Sequence, residues 1–342
     1  MLARAAVVSL CLAACGSDDP ADQIPEGCDF LERDDAGNDV FAMTPGTAEA
    51  TELTLGEANV FCGQIDPGHF QPSAQGPGIV DVDAFTLEVA ADTSAVISLT
   101  GESLESYALA QMIIADAAGT AIALASYDPA IEHGIQLVAA LAPGSYRIAV
   151  GALNPADPTE PLAYRAKVAT YDLAARCADP AAPTFVEAND GADNTGNDMI
   201  EVRYVANGAT ATVATTDIPE PSNVTVASGT PTLIEGSIAM VNPADEYLDR
   251  DTFSITAGDA SHLLVRVAWP GTGADLDFFL FDENLPDILA PNGTVTSNTR
   301  AELELIPITP NAKYWLWVGA YDMSMGLPLA YKATLCGESF VP

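Results

Sequence analysis

The side chains with chemistry to offer in these 342 residues are three histidines, six cysteines, three tryptophans and 48 carboxylates. His69, His133 and His262 lie far apart and form no H-E-x-x-H pair for zinc, and no G-x-S-x-G turn presents a nucleophilic serine. No C-x-x-C or histidine partner supports a structural zinc. Carboxylates are abundant, but abundance does not name an acid–base pair, because a raised pKa depends on surroundings. We therefore expect no catalytic site. Two tryptophans suggest binding instead. If Tyr314, Leu316 and Val318 face a core, Trp315 and Trp317 of the same strand face outward. They then form either a stripe for a sugar ring, a peptide or a protein partner, or a surface covered by another part of the chain.

Charge narrows the partners. Twelve Lys and Arg against 48 Asp and Glu give a net charge of −36 and a pI near 4.1. Nucleic acid and anionic membrane surfaces would be repelled. The chain is 49% hydrophobic, so it has enough apolar surface to fold, and 24 Pro with 26 Gly are spread as turn punctuation.

The N-terminus points to export. Arg4 precedes a short apolar run, and Leu12-Ala13-Ala14-Cys15 looks like a bacterial lipobox, followed by polar Gly16-Ser17-Asp18-Asp19. The expectation is a signal peptide over 1–14, a lipid on Cys15 and an acidic tether over 15–27. Gly16 gives no acidic inner-membrane retention cue, which favours the outer membrane or cell surface. With Cys11 removed and Cys15 acylated, Cys28, Cys62, Cys177 and Cys336 remain, an even set suited to two disulfides. Three pairings are open.

The rest of the chain is a repeat with a shift near 168 residues. Asp81-Val82-Asp83-Ala84-Phe85-Thr86-Leu87 matches Asp249-Arg250-Asp251-Thr252-Phe253-Ser254-Ile255, and Leu162-Ala163-Tyr164-Arg165-Ala166 matches Leu329-Ala330-Tyr331-Lys332-Ala333. Gly63-Gln64-Ile65 matches Gly236-Ser237-Ile238, and Phe30-Leu31-Glu32 matches Phe185-Val186-Glu187. Order is preserved, so one module is used twice, over 28–175 and 176–342. Cys336 ends the second module's last strand and Cys177 lies just before its start, which favours Cys177 with Cys336 and Cys28 with Cys62. Period-two runs such as Ala95, Ile97, Leu99 and Leu263, Val265, Val267 lie between turn formers such as Pro143-Gly144. The fold expected is all-β, two tandem jelly-roll-like antiparallel β-sandwiches. The alanine-rich run near 108–125 reads as strand by its match in module two, and Thr170 to Arg176 invites a helix.

These elements resemble the bacterial pre-peptidase C-terminal domain family. In module two the resemblance runs through Glu187-Ala188-Asn189-Asp190, Gly236-Ser237-Ile238, Asp249 to Ile255, Asp275 to Asp282 and Tyr314 to Val318. Module one departs at its start, Glu32-Arg33-Asp34-Asp35, and lacks the Asp-x-Asp opening of the central strand. The resemblance implies a binding module of secreted or surface proteins, with a protein or glycan as ligand. It also implies calcium, held by Glu187, Asn189, Asp190, Asp249 and Asp251, and less completely by Glu32, Asp34, Asp81 and Asp83. The same carboxylates could instead cap turns or form a solvated face.

Several acyl chains on one residue anchor a protein stably without a spanning helix. Changing Cys15→Ser should move the exported protein from the detergent phase to the aqueous phase on Triton X-114 partition; retention in the detergent phase would contradict the lipobox.

Overall fold

The computed structural model describes residues 26–32, 53–55, 59–65, 79–100, 110–126, 134–153, 162–187, 200–205, 208–213, 220–242, 247–248, 250–270, 274–283, 301–323 and 328–338. The signal segment, Cys15, Asp34, Asn189, Asp190, Asp249 and the side chain of Asp81 lie outside this set. The first half contains β1 (Phe30–Leu31), β2 (Asn59–Ile65), β3 (Ile79–Val89), β4 (Thr93–Thr100), β5 (Ala110–Asp116), β6 (Ala121–Ser126), β7 (Gly134–Leu141), β8 (Gly144–Leu153) and β9 (Leu162–Tyr171). A short helix, α1 (Leu173–Arg176), follows. The second half contains β10 (Phe185–Val186), β11 (Ile200–Val205), β12 (Gly208–Val213), β13 (Glu220–Val226), β14 (Thr232–Ile238), β15 (Met240–Asn242) and β16 (Tyr247–Leu248). It continues with β17 (Arg250–Ala257), β18 (His262–Ala268), β19 (Ala274–Asp282), β20 (Ala301–Pro307), β21 (Lys313–Met323) and β22 (Leu329–Glu338).

Sheet order shows the repeat directly. One five-stranded sheet runs β1-β2-β9-β4-β7 and the other β10-β14-β22-β18-β20. Each faces a four-stranded sheet, β3-β8-β5-β6 or β13-β17-β21-β19. Within these, β3, β8 and β5 take the places of β17, β21 and β19. The alternation that predicted strands also fills the cores. Ala95, Ile97 and Leu99 are fully buried in the first cluster, Leu263, Val265 and Val267 in the second. Each fully buried leucine, isoleucine or valine contributes about 1.5–3 kcal/mol of transfer free energy. Most pairings are antiparallel as expected, but β1 with β2, β10 with β14 and β13 with β17 run parallel. Module one keeps a remnant of the last as a single parallel bridge, Thr54 to Glu88.

The alanine-rich run is the hairpin β5–β6, because its turn is specified. Asp116 Oδ1 accepts the backbone N–H groups of Ala118 and Thr120, each at 2.8 Å, and Gly119 supplies φ +88°. Among the described residues helix is confined to α1, capped by Asp172, whose Oδ1 accepts from Ala175 N–H at 2.9 Å. The expected boundary between residues 175 and 176 therefore falls inside α1. Cys28 bonds to Cys62 and Cys177 to Cys336, with Cα separations of 5.9 and 5.8 Å. Among the described residues no helix is long and apolar enough to cross a membrane.

One core position differs sharply between the copies. Ile97 pairs with Leu137, and Leu99 with Ile135; at the corresponding places Val265 pairs with Glu304, and Val267 with Glu302. Glu304 shares the inward face of β20 with Ile306. Burial pushes its carboxyl up to about 7. The fold therefore favours the neutral acid. The penalty is absent below the unfolded pKa near 4.5, grows as pH rises, and is complete above about 7. Glu304→Leu, which restores the module-one residue, should raise stability at pH 8 by on the order of 2 kcal/mol and change it much less at pH 4, read by thermal melts at the two pH values. An equal gain at both would show that Glu304 is not the titrating group.

Candidate ligand cleft

In each module a tyrosine of the five-stranded sheet reaches across the sandwich to an aspartate of the opposite sheet. Tyr164 donates its hydroxyl to Asp83 Oδ2 and Tyr331 to Asp251 Oδ2, both at 2.6 Å. The aspartates are 1% and 0% exposed. A buried carboxylate is tolerated only with such partners. Each phenol lies over a glycine of the neighbouring strand, Gly63 on β2 and Gly236 on β14. A Cβ at either position would overlap the phenol oxygen and ring. The repeated Gly, Leu-Ala-Tyr and Asp-x-Phe segments are therefore three parts of one device. Behind it, Phe30 meets Phe85 edge-on at 6.0 Å and Phe185 meets Phe253 at 6.1 Å.

In module two this end of the sheet opens into a cleft of about 590 Å³. Its floor is Gly236 and Tyr331. Its walls are Val186 and Glu187 after β10, Glu235 and Ser237 of β14, Trp269 and Pro270 beyond β18, and Lys332 of β22. Lys332 pairs with Glu235 at 3.1 Å, and Trp269 donates its indole N–H to Ala274 O at 3.1 Å, which fixes both walls. Val186 is 59% exposed, the one exposed large hydrophobic side chain among the described residues.

Sequence-predicted residues converge here only in part. Glu187 and Asp251 come to this end, and Glu32 and Asp83 to the matching end of module one. Each is buried within the fold. Glu187 Oε2 accepts the Ser237 N–H at 3.0 Å, and Asp251 serves Tyr331. Among the described residues no group of three or more His, Cys, Asp or Glu is set to hold a metal. Asn189, Asp190 and Asp249 of the expected calcium set lie outside the described residues. The tryptophan stripe needs correction. Tyr314, Leu316 and Val318 do fill the core, but Trp317 on the other face is 3% exposed and packs on Phe279 with ring centroids 5.3 Å apart. Trp315 is half-buried. Trp317 also lies over Gly319, where a Cβ would strike the indole. Val186, Trp269 and Tyr331 were not singled out as site residues from sequence. The recurrence of Tyr after Leu-Ala, 81 and 80 residues after the aspartate of Asp-x-Phe, was the available signal.

No family model matches the chain, and no curated protein matches it. Among solved structures, the pre-peptidase C-terminal domain of collagenase from Bacillus anthracis is similar at 16% identity, covering 35% of this chain and 95% of that one, with a TM-score of 0.26. The CUB1-EGF-CUB2 region of human MASP-1/3 is similar at 7% identity, over 81% of this chain and 99% of that one, with a TM-score of 0.19. The tandem CBM51 modules of a family 98 glycoside hydrolase from Streptococcus pneumoniae are similar at 8% identity, over 81% and 93%, with a TM-score of 0.18. At these values none of them assigns a ligand or an activity to this chain.

Because Asp251 holds the Tyr331 ring in place, the ring cannot swing away from an added methyl. Gly236→Ala should therefore cost about 2–3 kcal/mol in denaturant unfolding, within the range for overpacking. A change below about 0.5 kcal/mol would show that the phenol is free to move.

Proposed function

We propose that this chain is a non-catalytic cell-envelope lipoprotein whose two β-sandwich modules, of the pre-peptidase C-terminal kind, bind an extracellular protein or glycan, with the module-two cleft as ligand site. The observation that carries the reading is the cleft itself. It is concave and lined by Val186, Trp269 and Pro270 together with the polar Glu187, Glu235, Ser237 and Lys332, a mixture of apolar surface and a few polar groups that is the usual make-up of a binding site. Val186 stands exposed at its mouth where a monomer gains nothing by exposing it. Two disulfides support an oxidising, extracytoplasmic setting. The lipobox supports anchoring at the outer membrane or cell surface. The net charge of −36 favours a neutral or cationic ligand over a polyanion.

A second reading treats the protein as the substrate-holding subunit of a separate extracellular hydrolase, using the same cleft; a third treats the modules as envelope spacers. A glycan and matrix-protein binding screen, run with calcium and with chelator, separates them. Val186→Asp should weaken any captured ligand at least about tenfold while leaving the melting temperature within error, since an exposed substitution shifts stability by no more than about 0.5 kcal/mol. Capture unaffected by Val186→Asp would move the site elsewhere, and no capture under any condition would favour the spacer. A ligand held only in the presence of calcium would bring the metal into the site.

A further inference from the structure

The outer face of a sandwich sheet ordinarily meets water. Over part of the two five-stranded sheets it does not. Val138 points away from its own core yet is 1% exposed, and Leu264 does the same at 0%. Ser94, Ser98 and Gln136 on the same face of module one are also buried, as are His262, Thr334 and Glu338 in module two. Each module is the other's cover. Val96, Val138 and Tyr171 of the first share one apolar cluster with Leu264, Leu303 and Leu305 of the second.

Strand register shows that these are the same positions twice. Val96 pairs with Val138 across β4 and β7, and Leu264 with Leu305 across β18 and β20. Ser94 pairs with Tyr171, and His262 with Glu338. Val96 therefore corresponds to Leu264, Val138 to Leu305 and Tyr171 to Glu338. Tyr171 and Glu338 touch each other: the phenol donates to Glu338 Oε1 at 2.6 Å, while Arg176 pairs with Oε2 and lies 5.0 Å from the Tyr171 ring. Strand β7 packs on β20, again one strand against its own copy. Equivalent surfaces meeting in this way are the mark of a twofold, isologous contact.

The direction of the twofold follows from which strands meet. A half-turn about an axis parallel to the strands reverses their order and can lay only one strand over its copy. A half-turn about an axis running across the strands keeps the order and lays every strand over its copy, antiparallel. Two strands meet their copies here, β9 with β22 through Tyr171 and Glu338, and β7 with β20. An axis along the strands is therefore excluded, and the strands of the two modules lie antiparallel to or crossed over their copies.

We propose that the chain is an internal dimer, its modules joined through the outer faces of their five-stranded sheets about such a twofold, so that the two glycine–tyrosine–aspartate ends project apart. The partner that this face fits is a second copy of the same sandwich. A consequence for binding follows. At the module-one pole, Arg165 donates to the Glu26 carbonyl at 3.1 Å, which holds the first described residue there. The cleft occupies the other pole. A chain tethered through Cys15 would carry its cleft on the side facing away from the lipid; this last step rests on the lipobox reading, whereas the module arrangement does not.

The test needs neither ligand nor lipid. Ala163 and Ala330 are exposed and occupy equivalent places at the two poles. Each lies eight residues from the Tyr171–Glu338 contact, so spin labels at Ala163→Cys and Ala330→Cys should read about 40–50 Å apart by dipolar spectroscopy, the range from crossed to antiparallel strands at 3.3 Å per residue. A distance under about 25 Å would mean that the strands run parallel across the interface and overturns the proposal. A protease site inserted between Asp172 and Leu173 provides the second measurement, upstream of the Cys177–Cys336 bond so that no covalent link survives the cut. The cut halves should co-elute as one body on size exclusion, and the same cut chain with Leu303→Asp should separate. Separation without the substitution, or co-elution despite it, overturns the proposal as well.

Discussion

A phenol donated to a buried aspartate, laid over a glycine, is the constraint on which each module depends. It joins the two sheets of a sandwich at one point, where hydrophobic packing alone would let them slide. Apolar burial is non-directional and tolerates many arrangements of similar volume. The hydrogen bond from Tyr164 to Asp83, or from Tyr331 to Asp251, selects one. Losing the phenol would leave a carboxylate with little exposure and one donor fewer, so the bond also excludes alternative registers of β3 and β17. Positioning follows from it. With Tyr331 fixed, Gly236 must be glycine, β14 must approach closely, and Glu187 is brought to the Ser237 N–H beside the cleft.

The contact between modules uses the opposite face of the same sheets. At its edge Glu338 takes both Tyr171 and Arg176, so the carboxylate has partners on each oxygen. Burial and the bond to Glu338 push the Tyr171 hydroxyl well above its ordinary pKa, which keeps it a donor through the whole accessible pH range. The Cys177–Cys336 bond closes the linker onto β22 beside this contact. Asp179 then accepts from Thr334 at 2.6 Å and pairs with Arg266 at 3.1 Å. The passage from one module to the next is thus tied down over several residues, which is the reverse of a flexible linker.

Much of this was legible because strand periodicity and chain duplication reinforce one another. Each strand pattern in 28–175 could be checked against its copy, which is how the alanine-rich run was read as β5–β6 despite its composition. The disulfide pairing was legible for the same reason, since the repeat placed Cys177 and Cys336 at the two ends of one module. Side-chain direction was legible too: Tyr314, Leu316 and Val318 do face the core. What lies over an outward face was not. Trp317 is covered by Phe279, and Val96 and Leu264 by the opposite module, because coverage is decided by contacts remote in sequence. The tyrosine–aspartate ties were visible only as repeated letters. Their meaning needs the distance across the sandwich, which no strand pattern encodes.

The two copies have kept the ties, the sheet order and the mutual face, and have diverged at the poles and at one edge. Lys332 pairs with Glu235 beside an open cleft, whereas its counterpart Arg165 is committed to the Glu26 carbonyl against Gly27. The edge strand β20 carries Glu302 and Glu304 where β7 has Ile135 and Leu137. Burial disfavours the charged form of Glu304, a cost that Leu137 at the matching place in module one does not carry. A duplicated scaffold divides labour in this way when one copy must stay closed and the other must offer a surface. On the proposed reading, module one, whose Arg165 holds the Glu26 carbonyl, would serve as the mount, and module two, with its exposed Val186 and its fixed Trp269, as the part that meets a ligand, because function resides where a scaffold departs from what stability alone would choose.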